Sequence, residues 1–152
     1  MEFIVEKSDG LAKEFGDEKG DTYSRMAGRI AEIIEKYIKI APRWNELVQD
    51  EEKDYKETLK RYFGTHQGVV ETFLAKVIEK TKGVEERNAF VVALDKQGFG
   101  FAEGINIKIK TINNEQVIEV SYKKEKDGKV IFEHNEIVPK EVIDQIILEG
   151  KN

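Results

Sequence analysis

The 152-residue chain contains no cysteine, which excludes disulfide bridges, thiolate nucleophiles and cysteine-ligated zinc. It also lacks any apolar run approaching the ~18 residues that a membrane-spanning helix requires. Residues 1–7 alternate charged and apolar side chains, unlike the continuous apolar segment of a signal peptide. These absences together predict a soluble, cytoplasmic protein.

A strong excess of one charge is missing as well. The chain carries 25 basic and 30 acidic residues, for a net charge of −5, and neither half forms a basic arm or an acidic tail. Hydrophobic residues make up 39%, as in globular proteins, which argues against disorder. The abundance of Glu, Lys and Ile fits a thermophilic host and an AT-rich genome equally well.

The spacing of the apolar residues changes once, close to Gly83. Before this point they recur every three or four residues, as in a helix, and after it every second residue, as in a strand with one buried face. The change predicts an α+β fold, with an N-terminal three-helix region packed on a C-terminal antiparallel β-meander and a final C-terminal helix. We expect one domain, residues 1–152, with the helical part at about 21–82, the sheet at about 89–138 and the last helix at about 139–149.

In the first half the apolar spacing predicts three helices, at residues 22–40, 43–63 and 65–82. Pro42 separates the first two, and a tight reversal at Gly64 separates the last two. The second helix is expected to pack through a stripe that includes Trp44, Leu47, Val48, Tyr55, Leu59 and Tyr62. Ahead of these helices we expect a short strand at residues 2–6 and a helical turn or two that end at Gly16.

In the second half, residues 89–94 are rich in β-forming side chains and are predicted to form a strand. A hairpin turning at Asn113-Asn114 would place Ile107 opposite Val120 and Lys108 opposite Glu119, so apolar and charge pairing agree in one register. Ile105 would then face Tyr122. A three-residue loop ending in Gly128 is expected to follow, with Tyr122 opposite Phe132 and His134 opposite Val120 on the inward face, and Pro139 is expected to open the last helix.

Glu51 is one candidate ligand-binding residue. It falls within the predicted apolar stripe of the second helix, where a carboxylate has to be paired, hydrogen-bonded or hydrated. One interpretation is a ligand or an acid/base group with a raised pKa; the other is a structural residue bonded to a tyrosine or a basic side chain. The pairs Glu32-x-x-Glu35 and Glu51-x-x-Asp54 have a spacing similar to that of all-α nucleotide pyrophosphohydrolases. However, Glu32 and Glu35 are predicted to face solvent, so no metal site is expected.

His134 is the second candidate ligand-binding residue, because it is predicted on the inward face of its strand. His66 is far away in sequence, and nothing in the sequence brings the two histidines together with Glu51. We therefore predict no metal and no cofactor.

Four lysines on the outward face of the meander are candidates for contacts with nucleic acid: Lys108, Lys110, Lys123 and Lys129. Glu119 and Glu133 lie among them, and Tyr122 and Phe132 are expected to point inward. The outward face therefore lacks the aromatic side chains on which bases stack.

The first functional hypothesis is a small, non-enzymatic intracellular protein that binds another macromolecule, preferably a protein, or assembles as a homodimer. Apolar residues beyond the core stripes, such as Val69, Ile78 and Leu148, indicate a second packing surface. Two alternatives stay open: a small-molecule or nucleotide-handling enzyme that uses Glu51, and a nucleic-acid binder that uses the lysine face.

Overall fold

The structure is a computed structural model that describes residues 1–50, 52, 55–95, 98–113 and 115–152. The predicted α+β class is confirmed: helices come first, a three-stranded antiparallel sheet follows, and a helix ends the fold. The elements are α1 (Glu2–Phe15), α2 (Tyr23–Val48), α3 (Val69–Lys82), α4 (Val84–Ala93), β1 (Asn106–Ile112), β2 (Glu115–Lys126), β3 (Lys129–Val138) and α5 (Lys140–Gly150). Among these helices, none has both the length and the apolar character needed to cross a bilayer.

The N-terminal residues are helical, so the prediction of a strand at residues 2–6 is wrong. Five residues are too few to separate a helical from a strand period. Val5 is buried against the core, and the Ser8 hydroxyl donates to the carbonyl of Ile4, one helical turn earlier. The helix ends where predicted, at Gly16, whose φ of 66° places it in the left-handed region that glycine tolerates.

Helix α2 continues through Pro42, so the prediction that this proline ends the helix is wrong. Proline removes one backbone hydrogen bond, and Pro42 lies in an exposed part of the helix, beyond its last buried residue, Ile38. The helix then ends at Val48, and residues 55–66 are neither helix nor strand. Among the described residues of the range 43–63, the second predicted helix is therefore not present as a separate element.

The predicted strand at residues 89–94 is also wrong, because this segment belongs to α4 and the loop that follows it. Arg87, Phe90 and Leu94 are buried at helical spacing, whereas Val92, which a strand would bury together with Phe90, is 77% exposed. Contacts with the core thus override the β propensity of the Phe-Val-Val run.

The first hairpin has the predicted register, with Ile107 paired to Val120 and Lys108 to Glu119. Ile105 lies before the start of β1. The agreement of apolar and charge pairing therefore identified the correct alignment of β1 and β2.

The second hairpin differs from the prediction, since Asp127 (φ 53°) and Gly128 (φ 72°) form a two-residue turn with Lys126 paired to Lys129. A bulge at the Lys124/Glu125 pairing then shifts the register. As a result, His134 pairs with Tyr122 and not with Val120, and Phe132 pairs with Lys124.

The helices cover one face of the sheet, the inner face, which carries Ile118, Val120 and Tyr122. The hydrophobic core draws residues from every helix and from the sheet. Helices α2 and α5 cross with Gly28 against Gly150, where a Cβ added to either glycine would lie 2.9 Å from the backbone of the other helix. Residues 39–67 supply nothing to this core among their described positions. We call them the arm, and we call residues 1–38 and 68–152 the body.

Candidate functional site

Glu51 lies outside the described residues, as does Asp54, so the hypothesis that Glu51 binds a ligand stays a prediction. The helix that was predicted to carry it ends earlier, at Val48. Among the described residues, no cluster of three or more histidine or acidic side chains could hold a metal ion.

His134 faces inward as predicted and is 4% exposed. Its Nε2 atom is buried and has no hydrogen-bond partner within the described part of the chain. Burial lowers the pKa of the imidazole, and the nearby carboxylates of Glu136 and Glu86 and the ammonium of Lys82 modulate that effect. His66 is exposed in the arm, so the structure does not bring the two histidines together.

The four candidate lysines lie on or beside the outer face of the sheet. Lys108 and Lys110 both pair with Glu119, at 3.4 and 3.2 Å between nitrogen and oxygen, and Lys123 pairs with Glu125 at 2.5 Å. Lys129 follows the second turn. Carboxylates thus lie among the lysines across this face, which limits the positive potential available to nucleic acid.

Sequence reasoning missed a partly buried ionic network whose residues come from all of helices α1 to α5. Lys76 contacts Glu149 at 2.9 Å and lies 4.3 Å above the ring of Tyr23, while Arg87 contacts Glu79 at 3.2 Å and Glu6 at 2.8 Å. Burial and the adjacent Glu79 raise the pKa of the Tyr23 hydroxyl. Both cations have carboxylate partners within the body, although Arg87 Nε is buried with no hydrogen-bond partner among the described residues, and we interpret the network as structural.

The arm exposes aromatic side chains, and two of them, Tyr55 and Tyr62, were predicted to be buried. Tyr62 is 92% and Phe63 is 63% exposed, and none of the described residues in the arm is buried. Trp44 packs edge-on against Tyr55 with ring centroids 5.6 Å apart. Phe63 packs against Tyr37 at 5.8 Å, so the non-helical part of the arm runs back along α2. Tyr55 and Phe63 thus each contact an aromatic side chain of α2, whereas Tyr62 lies almost wholly in solvent.

The charges of the arm are balanced and separated. The sequence between residues 39 and 67 contains six acidic and six basic residues, whereas the whole chain has a net charge of −5. Five of the acidic residues lie within residues 46–54, and three of the basic ones are Lys56, Lys60 and Arg61. These three form no ion pair with a described residue. The arm therefore presents an acidic stretch followed by a basic stretch.

Helical periodicity could not reveal the arm, because an apolar stripe looks the same whether it faces the core or solvent. The arm does have one signal in its sequence: an acidic stretch is followed by a basic stretch, which lies next to Tyr62 and Phe63. No family model, no curated protein and no solved structure matches this chain.

Proposed function

We propose that this chain is a non-enzymatic intracellular protein that acts by protein binding, through the arm, and that its partner there is a second copy of the same chain. The observation that carries the proposal is the exposure of Tyr62 and Phe63 in a segment that the core does not use. Aromatic side chains dominate the energetics of protein interfaces, and burying them in a partner removes their apolar surface from water.

The charge pattern supports a second copy as the partner. A two-fold symmetric contact brings the same patch of both molecules together, so an acidic stretch can meet the basic stretch of the other copy. Residues 46–54 and the stretch from Lys56 to Arg61 have this complementarity. Since the arm has no net charge, the repulsion between two molecules of net charge −5 is weakest where the arms meet.

The length of the arm is also suitable. Standard protein interfaces use ~20–30 residues on each side, which is comparable to the residue range 39–67. Other exposed aromatic residues, such as Phe15 and Phe101, stand singly on the body. Isolated apolar side chains of this kind are common on protein surfaces and need no partner.

Sedimentation equilibrium over a range of protein concentrations tests the proposal. We expect the wild-type chain to dimerise, and the double variant Tyr62→Ser/Phe63→Ser to dimerise at least about thirtyfold more weakly, the loss of one interface hot spot. The matched control is Phe15→Ser, which removes a 77% exposed aromatic side chain from α1. Higher salt should also weaken the dimer.

A wild-type chain that stays monomeric at every concentration would rule out the proposed dimer. If Phe15→Ser weakened the dimer as much as Tyr62→Ser/Phe63→Ser does, the interface would not be located at the arm.

A further inference from the structure

Strand β3 is an edge strand, because the strand order of the sheet is β1-β2-β3. Within the described part of the chain, the backbone hydrogen bonds of β3 go to β2 alone. From Phe132 to Val138 the pairing with β2 is regular, and the bulge lies between Phe132 and the turn. Half of the backbone N–H and C=O groups along this stretch therefore point away from the sheet, where an extended segment of another chain can pair with them.

The two edges of the sheet differ in how well they resist such pairing. Strand β1, at the other edge, carries the exposed Lys108 and Lys110, and lysines on an edge strand discourage the approach of another strand. Residues 130–138 of β3 include no lysine. Instead, the β-branched Ile131 is 43% and Ile137 is 67% exposed there. Side chains of this kind favour strand pairing, so the β3 edge is the more available of the two.

Helix α4 lies alongside β3 on the inner face of the sheet. Phe90 contacts Phe132, with ring centroids 5.3 Å apart, and Glu86, one helical turn earlier, faces His134. The helix thus runs antiparallel to the strand. A strand added beside β3 would have its inward side chains next to α4 and its outward side chains in solvent.

The charges beside this edge are mainly negative. Glu85 and Glu86, in the first turn of α4, make no ion pair with a described residue. Glu133 is exposed on the outer face of β3, opposite Lys123, but the Lys123 ammonium contacts Glu125. Three carboxylates therefore remain available to a basic partner on the two sides of the edge.

From this geometry we infer that the β3 edge binds an extended segment of another protein that is rich in lysine or arginine, and that the segment adds to the sheet as a further strand. Backbone hydrogen bonds supply the pairing, as in other cases of strand addition. The carboxylates select basic side chains over acidic ones. Glu136 is already paired with Lys82, and Lys129 lies beyond the bulge, so neither alters this preference. The edge belongs to the body and is independent of the arm.

The test is an NMR titration with a peptide of alternating lysine and valine, blocked at both ends and long enough to cover residues 132–138. We expect the backbone amide signals of β3 to shift and those of β1 to stay in place. A peptide of alternating glutamate and valine should bind at least about tenfold more weakly, because its charges are repelled. The lysine–valine peptide with every backbone nitrogen methylated keeps its charge but has no N–H to donate, so it should not bind.

A charge reversal on β3 tests the edge from the side of the protein. Glu133→Lys should bind the lysine–valine peptide at least about fivefold more weakly, because a like charge then lies beside the added strand. The matched control is Glu115→Lys, which makes the same change of charge at an exposed residue of β2, beyond the last residue that pairs with β3. It should bind the peptide as the wild type does.

The inference is overturned if the lysine–valine peptide leaves the β3 amides unshifted, or if the glutamate or the methylated peptide binds as tightly. Shifts confined to β1 would also overturn it, and so would an equal loss of binding in Glu133→Lys and Glu115→Lys. If the β3 amides shift when the protein alone is concentrated, the edge binds a second copy of this chain, and the inference of a basic partner is wrong.

Discussion

Both the body and the arm contain aromatic residues, but the body buries aromatic side chains in its core, whereas the arm leaves them exposed. In the body, Phe73 and Phe90 are completely buried, and Phe90 contacts the rings of Phe99, Tyr122 and Phe132. In the arm, Tyr62 and Phe63 keep most of their surface in water. Burial of aromatic surface is a main source of folding free energy. The described side chains of the body therefore supply the hydrophobic core, and the arm supplies none of it.

The largest expected effect is the loss of folding stability when a buried aromatic residue of the body is replaced, compared with an exposed one of the arm. Phe90→Ala should lower the free energy of unfolding by about 3–5 kcal/mol, the usual cost of deleting a buried aromatic side chain. Tyr62→Ala, its control in the arm, should change the free energy by less than about 0.5 kcal/mol, as surface substitutions do, because Tyr62 is 92% exposed. Urea unfolding at a concentration where the chain is monomeric measures both. A loss above about 2 kcal/mol in Tyr62→Ala would place the arm in the folding unit.

The next effect concerns the crossing of α2 and α5. Gly28→Ala should cost about 1–3 kcal/mol, because the new methyl group would lie 2.9 Å from Gly150 Cα and force the helices apart. Gly10→Ala, where the methyl group meets no atom within 4 Å, should stabilise α1 by about 0.5–1 kcal/mol. Thermal unfolding compares the pair. Equal melting temperatures for the two variants would mean that the helices do not cross this closely.

Replacing Trp44, in the arm, should have a smaller effect on the free energy of unfolding. Although it was predicted to be buried, it is half-buried and its ring packs against that of Tyr55. Trp44→Ala should therefore cost about 1 kcal/mol, the scale of an aromatic pair, and not the ~3–5 kcal/mol of a core residue. Urea unfolding of the monomer distinguishes these values, and a core-like loss would show that the arm packs on the body.

The contribution of His134 to the free energy of unfolding should be independent of pH near neutrality and should decrease as the solution becomes acidic. Burial lowers the pKa of its imidazole in the folded state, so the unfolded chain binds the proton more readily. Stability from this source is complete above the unfolded pKa of ~6.5 and is lost as the pH falls from there through the folded pKa.

The free energy of unfolding of the wild type should thus fall more steeply below pH ~6.5 than that of His134→Gln. Parallel curves for His134→Gln and the wild type would contradict a buried neutral imidazole.

The sequence predicted the structure correctly where the apolar and the charged residues favoured the same strand register. In the first hairpin, the alternation of Ile107 and Ile109 with Lys108 matched that of Val120 with Glu119, so the register was predictable. In the second hairpin, the bulge at the Lys124/Glu125 pairing has no local sequence signal, because it depends on how the strands pack on the helices. The helical state of Phe90 was decided in the same way, by tertiary contacts.

The candidate sites were less predictable than the fold. The inward orientation of His134 followed from strand alternation, but its orphaned Nε2 atom depends on neighbours from α3 and α4 that periodicity does not identify. The arm could not be found from its apolar spacing, because exposure is set by what the rest of the chain leaves uncovered.

Hydrogen exchange measured at low and high protein concentration tests the central claim most directly, because it reports on both regions in one experiment. We predict that amides of α3 and β2 exchange at the same slow rate at both concentrations, since the body folds alone. Amides of residues 55–66 should exchange rapidly when dilute and become protected when concentrated, as the arms of two copies meet. Exchange in residues 55–66 that is independent of concentration, whether fast or slow, would contradict the assignment of the arm to self-association.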